Sequence, residues 1–481
     1  MSHRLVIVLW WAFAAALPAR AETNHAVVSP LALTEVLAGV NNQYPPLLAA
    51  LIERDIAAGR LKGAQGTFDF NVFARVFGTP AGFYESGTLD TGFEQFTGLR
   101  GSTVFGGYRL TRGDVLPDYD ATRTQGAGEP RIGLRMPLLR DGAIDRRRAA
   151  LYKARVDREL ADPFIQRQQL DFLRAATVAY YHWQAAGERL RVAEDILRVA
   201  HDRAGALTNQ VHSGLVPRIV LADNQRLVVA RAIGVMQARR RFEAAALALS
   251  LFLRDPADEP LVAGRERLPA AFPVIAPPAV EQLAADIDRA RERRPEIARL
   301  ALAMNKLEMD RRLARNQMLP NLDAGVTASQ DFGREIYKDK TEFEVQAGIE
   351  LRVPLQRREA KGRLAAVEGQ IAQLENEQRF ARDRIRNETR DAFSALTAAH
   401  EQTLQTRLNV QLARELQGAE EERFRRGATD LLALQLREQT AFDAEVLAVE
   451  TLAEYFRALA DYRAAIAADL AAPAKQRPPN P

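Results

Sequence analysis

The chain has 481 residues, 27% of them charged, a formal net charge of only +4 and no cysteine. The missing cysteines exclude disulfides, thiolate metal sites and a lipid-bearing cysteine behind a cleaved leader. Acidic and basic residues are interleaved along the chain, so they read as solvated helix faces and not as a nucleic-acid surface.

Residues 1–21 have the form of a secretory signal. Arg4 supplies positive charge, residues 5–17 are an apolar core, and Ala19-Arg20-Ala21 is a small-x-small cleavage site before Glu22. The apolar run is shorter than the roughly 20 residues of a membrane-spanning helix. The mature chain is expected to be exported and free at its N-terminus.

A helix is predicted from about 45 to 62, with Pro45 in its first turn, where the missing N–H does no harm. A β-hairpin region follows over 67–137. Phe68, Phe70, Val72, Ala74 and Val76 alternate with other residues on the outgoing strand, and Ile132, Leu134 and Met136 do so on the returning one. Within it, 84–128 is hard to read. Val104, Phe105, Tyr108 and Leu110 look strand-like, but Gly98, Gly101, Gly106 and Gly107 interrupt them. A loop, an extension of the hairpin and extra pairing are all open. Loop or extension is the expectation, because further spanning strands would change the barrel count.

The returning strand ends at Pro137, in Arg131-Ile132-Gly133-Leu134-Arg135-Met136-Pro137-Leu138-Leu139. A helical leg then runs from Asp141 to a turn at Ser213-Gly214, and Pro163 is expected to kink or briefly break it near Asp162. A returning helix closes the first repeat, 22–253. The segment 254–281 holds six prolines within 255–278 and reads as an irregular connector.

The second repeat, 282–471, follows the same order. A helix from about 295 to 315 begins at Pro295, and a hairpin spans about 321–354. Leu322, Ala324, Val326 and Ala328 alternate with polar or small residues, as do Phe343, Val345, Ala347, Ile349, Leu351 and Val353. The strand ends in Gly348-Ile349-Glu350-Leu351-Arg352-Val353-Pro354-Leu355-Gln356, a close copy of the first passage 217 positions later. The leading prolines, Pro45 and Pro295, are 250 positions apart, so the first hairpin region carries about 33 extra residues. The second leg runs from Arg357 to Arg426-Gly427. Leu364, Val367, Ile371 and Leu374 give it a heptad seam. Its distance from proline to tip glycine is four residues shorter than in the first leg, and that surplus is expected near Pro163. Each leg spans on the order of 100 Å as a helix. The tail 472–481 reads as disordered.

Period-two runs of about ten residues have the length of membrane-barrel strands. Two hairpins make four strands, and four cannot close a barrel, so several subunits must pool them. No catalytic site is visible. The six histidines, at 3, 25, 182, 201, 212 and 400, are scattered, and no HExxH, P-loop, CxxC or GxSxG motif occurs. His182, between Tyr181 and Trp183, reads as a packed helix-surface residue. Six methionines without cysteine do not suggest a soft-metal relay. No enzyme activity, cofactor or metal is expected.

Arg294-Pro295-Glu296-Ile297, then Leu319-Pro320-Asn321 and a strand, resembles the outer membrane efflux protein family, the TolC-like channels. The two Pro-Leu strand–helix junctions do so as well, as do Ser213-Gly214-Leu215-Val216 and Arg423-Phe424-Arg425-Arg426-Gly427-Ala428-Thr429-Asp430. The likeness runs from about 31 to 470. It implies a mostly α fold with membrane β: a homotrimer with four strands per chain in a twelve-stranded outer membrane barrel and a coiled-coil α-barrel through the periplasm. The implied role is a passive exit duct for an efflux pump or a type I secretion system, working with a periplasmic adaptor and an inner-membrane transporter. Adaptor-contacting tips would be Gly214, Leu215, Val216, Gly427, Ala428 and Thr429. Family members often place aspartates six or nine residues after the tip glycine. Here Asp223 sits nine after Gly214, but the second copy has Ala433 and Leu436. A gate would then involve Asp223 with Arg218, Asp430, Arg425 and Arg426. The alternative is a periplasmic coiled-coil adaptor or scaffold, which explains the helices but not the duplicated strand–proline–helix passages.

Overall fold

A computed structural model of the chain describes residues 29–83, 85–113, 123–338, 340 and 342–468. The signal-like leader and the tail after 471 lie outside them. Two layers make up the molecule, a curved sheet and a set of long helices, and the connector wraps the helices at their waist.

The first repeat begins with α1 (Leu33–Gln43), α2 (Pro45–Leu51) and α3 (Glu53–Gln65). The helix expected over 45–62 is thus divided at Ile52, which serves as C-cap of α2 and N-cap of α3. The sheet then takes β1 (Asn71–Thr79), β2 (Ser86–Phe96), β3 (Thr103–Gly113) and β4 (Glu129–Pro137), and later β5 (Asn321–Gln330) and β6 (Phe343–Arg352). Their order is β1-β2-β3-β4-β5-β6, each neighbour antiparallel.

Among the described residues the sheet therefore has six strands, not the four expected, and 86–96 and 103–113 pair within it as β2 and β3. Glycines misled the reading. A ring from the neighbouring strand covers each of three strand glycines: the Phe93 ring lies within 2.8 Å of a Cβ built on Gly106, Phe73 within 3.0 Å at Gly92, and Phe105 crowds the same position at Gly133. Such aromatic–glycine pairs hold a curved sheet together where glycine alone would weaken it. Only Gly98 and Gly101 belong to a turn, and Gly101 needs the left-handed backbone (φ +72°). That turn sits on the start of the first leg: the Arg147 guanidinium lies 3.4 Å from the Phe96 ring centroid.

Cross-strand register puts Val72, Phe93, Gly106, Ile132, Ala328 and Val345 in one row on the outer face. That face is apolar and bare. Val76 is 80% exposed, Ile349 73% and Val72 76%. The opposite face carries Arg75, Asp90, Arg109, Glu129, Arg131, Glu344 and Glu350. The alternation read from sequence places the right residues on each face.

The legs are α4 (Arg146–His212) and α8 (Arg358–Arg425), and the returning helices are α5 (Arg218–Ser250) and α9 (Leu431–Ala465); α6 (Leu283–Arg293) and α7 (Pro295–Asn316) open the second repeat. Pro163 does not break α4, which runs 67 residues through it, against 68 in α8. The surplus lies instead before the helix: 138–145 separates Pro137 from α4, while only 355–357 separates Pro354 from α8. Asp145 caps α4, its Oδ1 accepting from Arg148 N at 2.8 Å. In α8, Val367 and Ile371 of the predicted seam are buried.

Below the waist the helices lie in the order α5-α4-α9-α8, and nearer the sheet α3, α4, α7 and α8 make the corresponding row. Four helical columns thus continue six strands. The waist itself is aromatic. Trp183 is fully buried among Tyr180, Phe242 and Leu249. Tyr181 stacks on Phe456 at 4.2 Å, with Phe272 of the connector beside both. Tyr180 donates to Leu31 O and Tyr455 to Ala276 O, each at 2.8 Å, so the irregular segments are tied to the helices through phenol hydroxyls. Trp183→Ala should cost about 3–5 kcal/mol, the usual penalty for emptying a large buried site. Thermal unfolding followed by circular dichroism at the helix band would show it as a lowered midpoint.

Candidate functional site

The two helical tips have the same backbone. Gly214 and Gly427 both take the left-handed conformation (φ +71° and +72°). Leu215 N donates to Gln210 O and Ala428 N to Arg423 O, both at 2.9 Å, each bond reaching back five residues. This closes the last turn of each leg and requires glycine, or a residue tolerant of that conformation, one position earlier. The caps therefore account for the glycine in each of the two turn strings. What surrounds them is less usual: Leu215, Ile219, Leu432 and Leu436 are 64–75% exposed at the very end of the molecule.

The residues expected to make a gate do not pair with one another within one chain. Asp430 caps α9, accepting from Ala433 N at 2.8 Å. Arg425 and Arg426 both reach Glu422, at 2.5 and 2.7 Å. Asp223 faces Arg226 at 3.4 Å, and Arg218 opens α5 in an exposed position. Each pair stays inside its own hairpin.

The tie between hairpins lies higher and was not foreseen. Glu438 of α9 is 3% exposed and binds two guanidiniums, Arg203 of α4 and Arg231 of α5; the Arg231 bond is 2.8 Å. Arg231 also donates to Ile196 O at 2.9 Å. Burial, with the Arg203 charge beside it, pulls the Arg231 guanidinium down to about 10. Asn224, fully buried, donates to Ala200 O at 3.1 Å and joins α5 to α4 just below. Between Glu438 and the tips, no hydrogen bond or ion pair among the described residues joins one hairpin to the other. Glu438→Gln would leave two buried cations short of a counter-charge, an imbalance that costs about 3–5 kcal/mol. The expected result is faster amide exchange along the α4–α9 seam, and unchanged exchange would assign the seam to apolar packing alone.

At the waist, the Arg294-Pro295-Glu296-Ile297 string forms a second knot. Arg294, 5% exposed, binds Glu296 at 2.8 Å and Glu388 of α8 at 2.9 Å, and donates to Ala465 O at the end of α9. Arg167 of α4 completes the pairing on Glu296. Burial pushes the Glu296 carboxyl up, but the hydrogen-bonded Arg294 and the nearby Arg167 outweigh it and hold the carboxyl down at about 2. The folded chain binds that proton more weakly than the unfolded one. Its stabilisation, about 3 kcal/mol, is complete above about pH 4.5 and is lost as pH falls towards 2. Acid titration of unfolding should therefore show a slope in that window that Glu296→Gln flattens.

Among the described residues no cluster of metal-ligating side chains occurs, and no helix is long and apolar enough to cross a membrane. His182 is exposed on α4.

Against solved structures the chain aligns along nearly its whole length. It is similar to the open state of the Neisseria gonorrhoeae MtrE outer membrane channel, with TM-score 0.66, 15% identity, and 92% of this chain and 90% of that one covered. It is also similar to the Campylobacter jejuni CmeC outer membrane channel, with TM-score 0.64, 13% identity and coverage of 92% and 87%. The outer membrane protein VceC of Vibrio cholerae aligns with TM-score 0.62, 13% identity and coverage of 91% and 96%. The chain has the fold of the outer membrane efflux channels. No family model matches it, and no curated protein matches it by sequence.

Proposed function

We propose that this protein is a passive outer membrane exit duct that spans the outer membrane and the periplasm and serves a tripartite efflux pump or a type I secretion system. The observation that carries the reading is that, among the described residues, both layers are open at both edges. The sheet stops at β1 on one side and β6 on the other, and the helix layer stops at α5 and α8. A sheet edge in lipid leaves backbone groups unpaired at several kcal/mol each, so the wall closes only when copies join head to tail. The stretch Leu404, Leu408, Leu412 and Leu416 on α8, half-exposed at four-residue spacing, and Val229, Ile233 and Met236 on α5 supply the apolar flanks for such a joint. Three copies, twelve helical columns in all, is the count implied by the family resemblance.

On this reading the wall catalyses nothing, and energy comes from an inner-membrane transporter. A periplasmic adaptor engages the tips at Gly214, Leu215, Val216, Gly427, Ala428 and Thr429, where the bare Leu215, Ile219, Leu432 and Leu436 offer apolar contact. Asp223 and Arg218, with Asp430, Arg425 and Arg426, form a charged mouth whose cross-chain pairs keep it narrow at rest. Exposed pairs are worth roughly 0–1 kcal/mol each, so an adaptor displaces them cheaply. A periplasmic scaffold, the alternative, has no use for an apolar outer sheet face.

Negative-stain imaging of the detergent-solubilised mature protein tests the duct. Long hollow particles with threefold end views are expected, and slender particles without a lumen would sink it. In planar bilayers, Asp223→Ala or Arg218→Ala should raise the resting conductance. Unchanged conductance in both would remove these residues from the gate.

A further inference from the structure

The hairpin β2–β3 sits in a region where a loop or an extension of the hairpin is expected, yet several observations point to the wall. Its strands are 11 residues each, beside 9 or 10 in the other four, and all are of membrane-spanning length. Its turn, 97–102, packs on the first turn of α4, where Gly101 lies against Asp141 O and Arg148. That turn is therefore at the helical end of the sheet, and the hairpin does not project beyond the far side.

Its outer face continues the lipid-facing band. Leu89, Phe93, Val104, Tyr108 and Leu110 lie between Val72 and Val76 on one side and Ile132 and Leu134 on the other. The polar face is stitched across the same strands. Arg131 of β4 reaches over Gly107 of β3 to Asp90 of β2, at 2.6 and 2.8 Å, because Gly107 has no side chain to block it. Arg109 lies between Asp90 and Glu129, and Lys340 of the β5–β6 loop joins Glu129 at 3.1 Å to Asp331 at 2.7 Å. This chain of alternating charge runs from β2 to the second repeat.

The circumference agrees. Four helical columns at about 8–10 Å cover about 32–40 Å per copy. Six strands about 4.8 Å apart and tilted about 40° cover about 38 Å, and four strands only about 25 Å. Six strands continue four helices without narrowing the wall. The even number also leaves β1 and β6 antiparallel, so β6 of one copy can pair with β1 of the next in the pattern the sheet already uses.

We infer that each copy gives six strands to the barrel, and that the free edges β1 and β6 are docking surfaces for neighbouring copies of the same chain. On the proposed reading as a threefold duct, on which this inference rests, the barrel has eighteen strands. It is then about half again as wide as a twelve-stranded one, since diameter grows with strand number. Its lumen carries a collar of mutually paired charges at the level of Asp90, Arg109 and Arg131.

The test is cryo-electron microscopy of the mature protein in lipid nanodiscs, counting strands per copy. Single-cysteine variants L89C and L110C, clean because the chain has no cysteine of its own, are labelled in parallel with a charged maleimide. Six strands per copy, with both cysteines labelled on the order of tenfold more slowly than G98C in the periplasmic turn, is the expected result. Four wall strands per copy, with β2–β3 inside the lumen or outside the bilayer and L89C quickly labelled, would overturn the inference and leave the duct standing. Particles with no barrel at all would overturn both. The strand count uses the unaltered chain, so a variant that fails to fold does not remove the test.

Discussion

Every backbone group in a membrane wall has to find a partner inside protein, and in the proposed duct the described residues of one copy leave an edge of β1 and an edge of β6 without one. That requirement governs the rest of the molecule. It makes the single chain an incomplete object and requires the polar and apolar faces of six strands to agree in register. It also aligns the helical layer, because α5 and α8 end at the same two margins as β1 and β6. In the proposed assembly, head-to-tail closure would satisfy the sheet and the helices in one operation. A soluble scaffold with an open sheet would blunt its edges with charge, proline or a covering loop. Here β6 presents Val345, Ile349 and Leu351 exposed.

The two repeats share a plan but not their fastenings. The position before the leading proline is Tyr44 in the first and Arg294 in the second. Tyr44 packs between Phe172 and Phe252, each 5.2 Å away by ring centroid. Arg294 instead gathers Glu296, Glu388 and the end of α9. One half is fixed at the waist by apolar contact and the other by a desolvated ion-pair knot. Directional bonds give the second half a geometry that apolar packing alone leaves looser, because a buried charge tolerates few alternative arrangements. The connector is held to the same belt through Phe272, Ile275 and the Tyr455 hydroxyl.

Much of this plan was legible in the sequence. Proline-ended strands, paired tip glycines and the alternation of β5 and β6 each carry a local physical signature, and the duplicated passages fix their order. The failures were also physical. Pro163 is expected to kink or briefly break its leg; α4 runs through it without a break, because a long helix buried on several sides survives one missing hydrogen bond. Gly106 of β3 looks like an interruption in the sequence, yet the Phe93 ring of β2 covers it; that pairing is visible only once the register is known. Arg203, Arg231 and Glu438 looked like ordinary solvated helix charges. Nothing local distinguishes them, because the partners are more than 200 residues apart and meet only after both hairpins have packed. The tip arginines show the reverse case: within one chain Arg425 and Arg426 both pair with Glu422, about one helical turn away, a partner that local spacing alone makes legible.

The placement of these ties determines which part of the tunnel is free to move. Each tip is closed by its own backbone cap and its own short-range ion pairs, so each hairpin end is a self-contained unit. Glu438 is the lowest polar bond between the two hairpins among the described residues, more than two helical turns above Gly427. Below it the hairpins are held side by side by packing, and packing without directional bonds resists sliding less than an ion-pair knot does. Spreading the tips therefore need not break the buried triad, and the triad in turn confines the movement to the last turns. In the proposed duct, a compliant mouth below a held seam follows from where three charged side chains are buried.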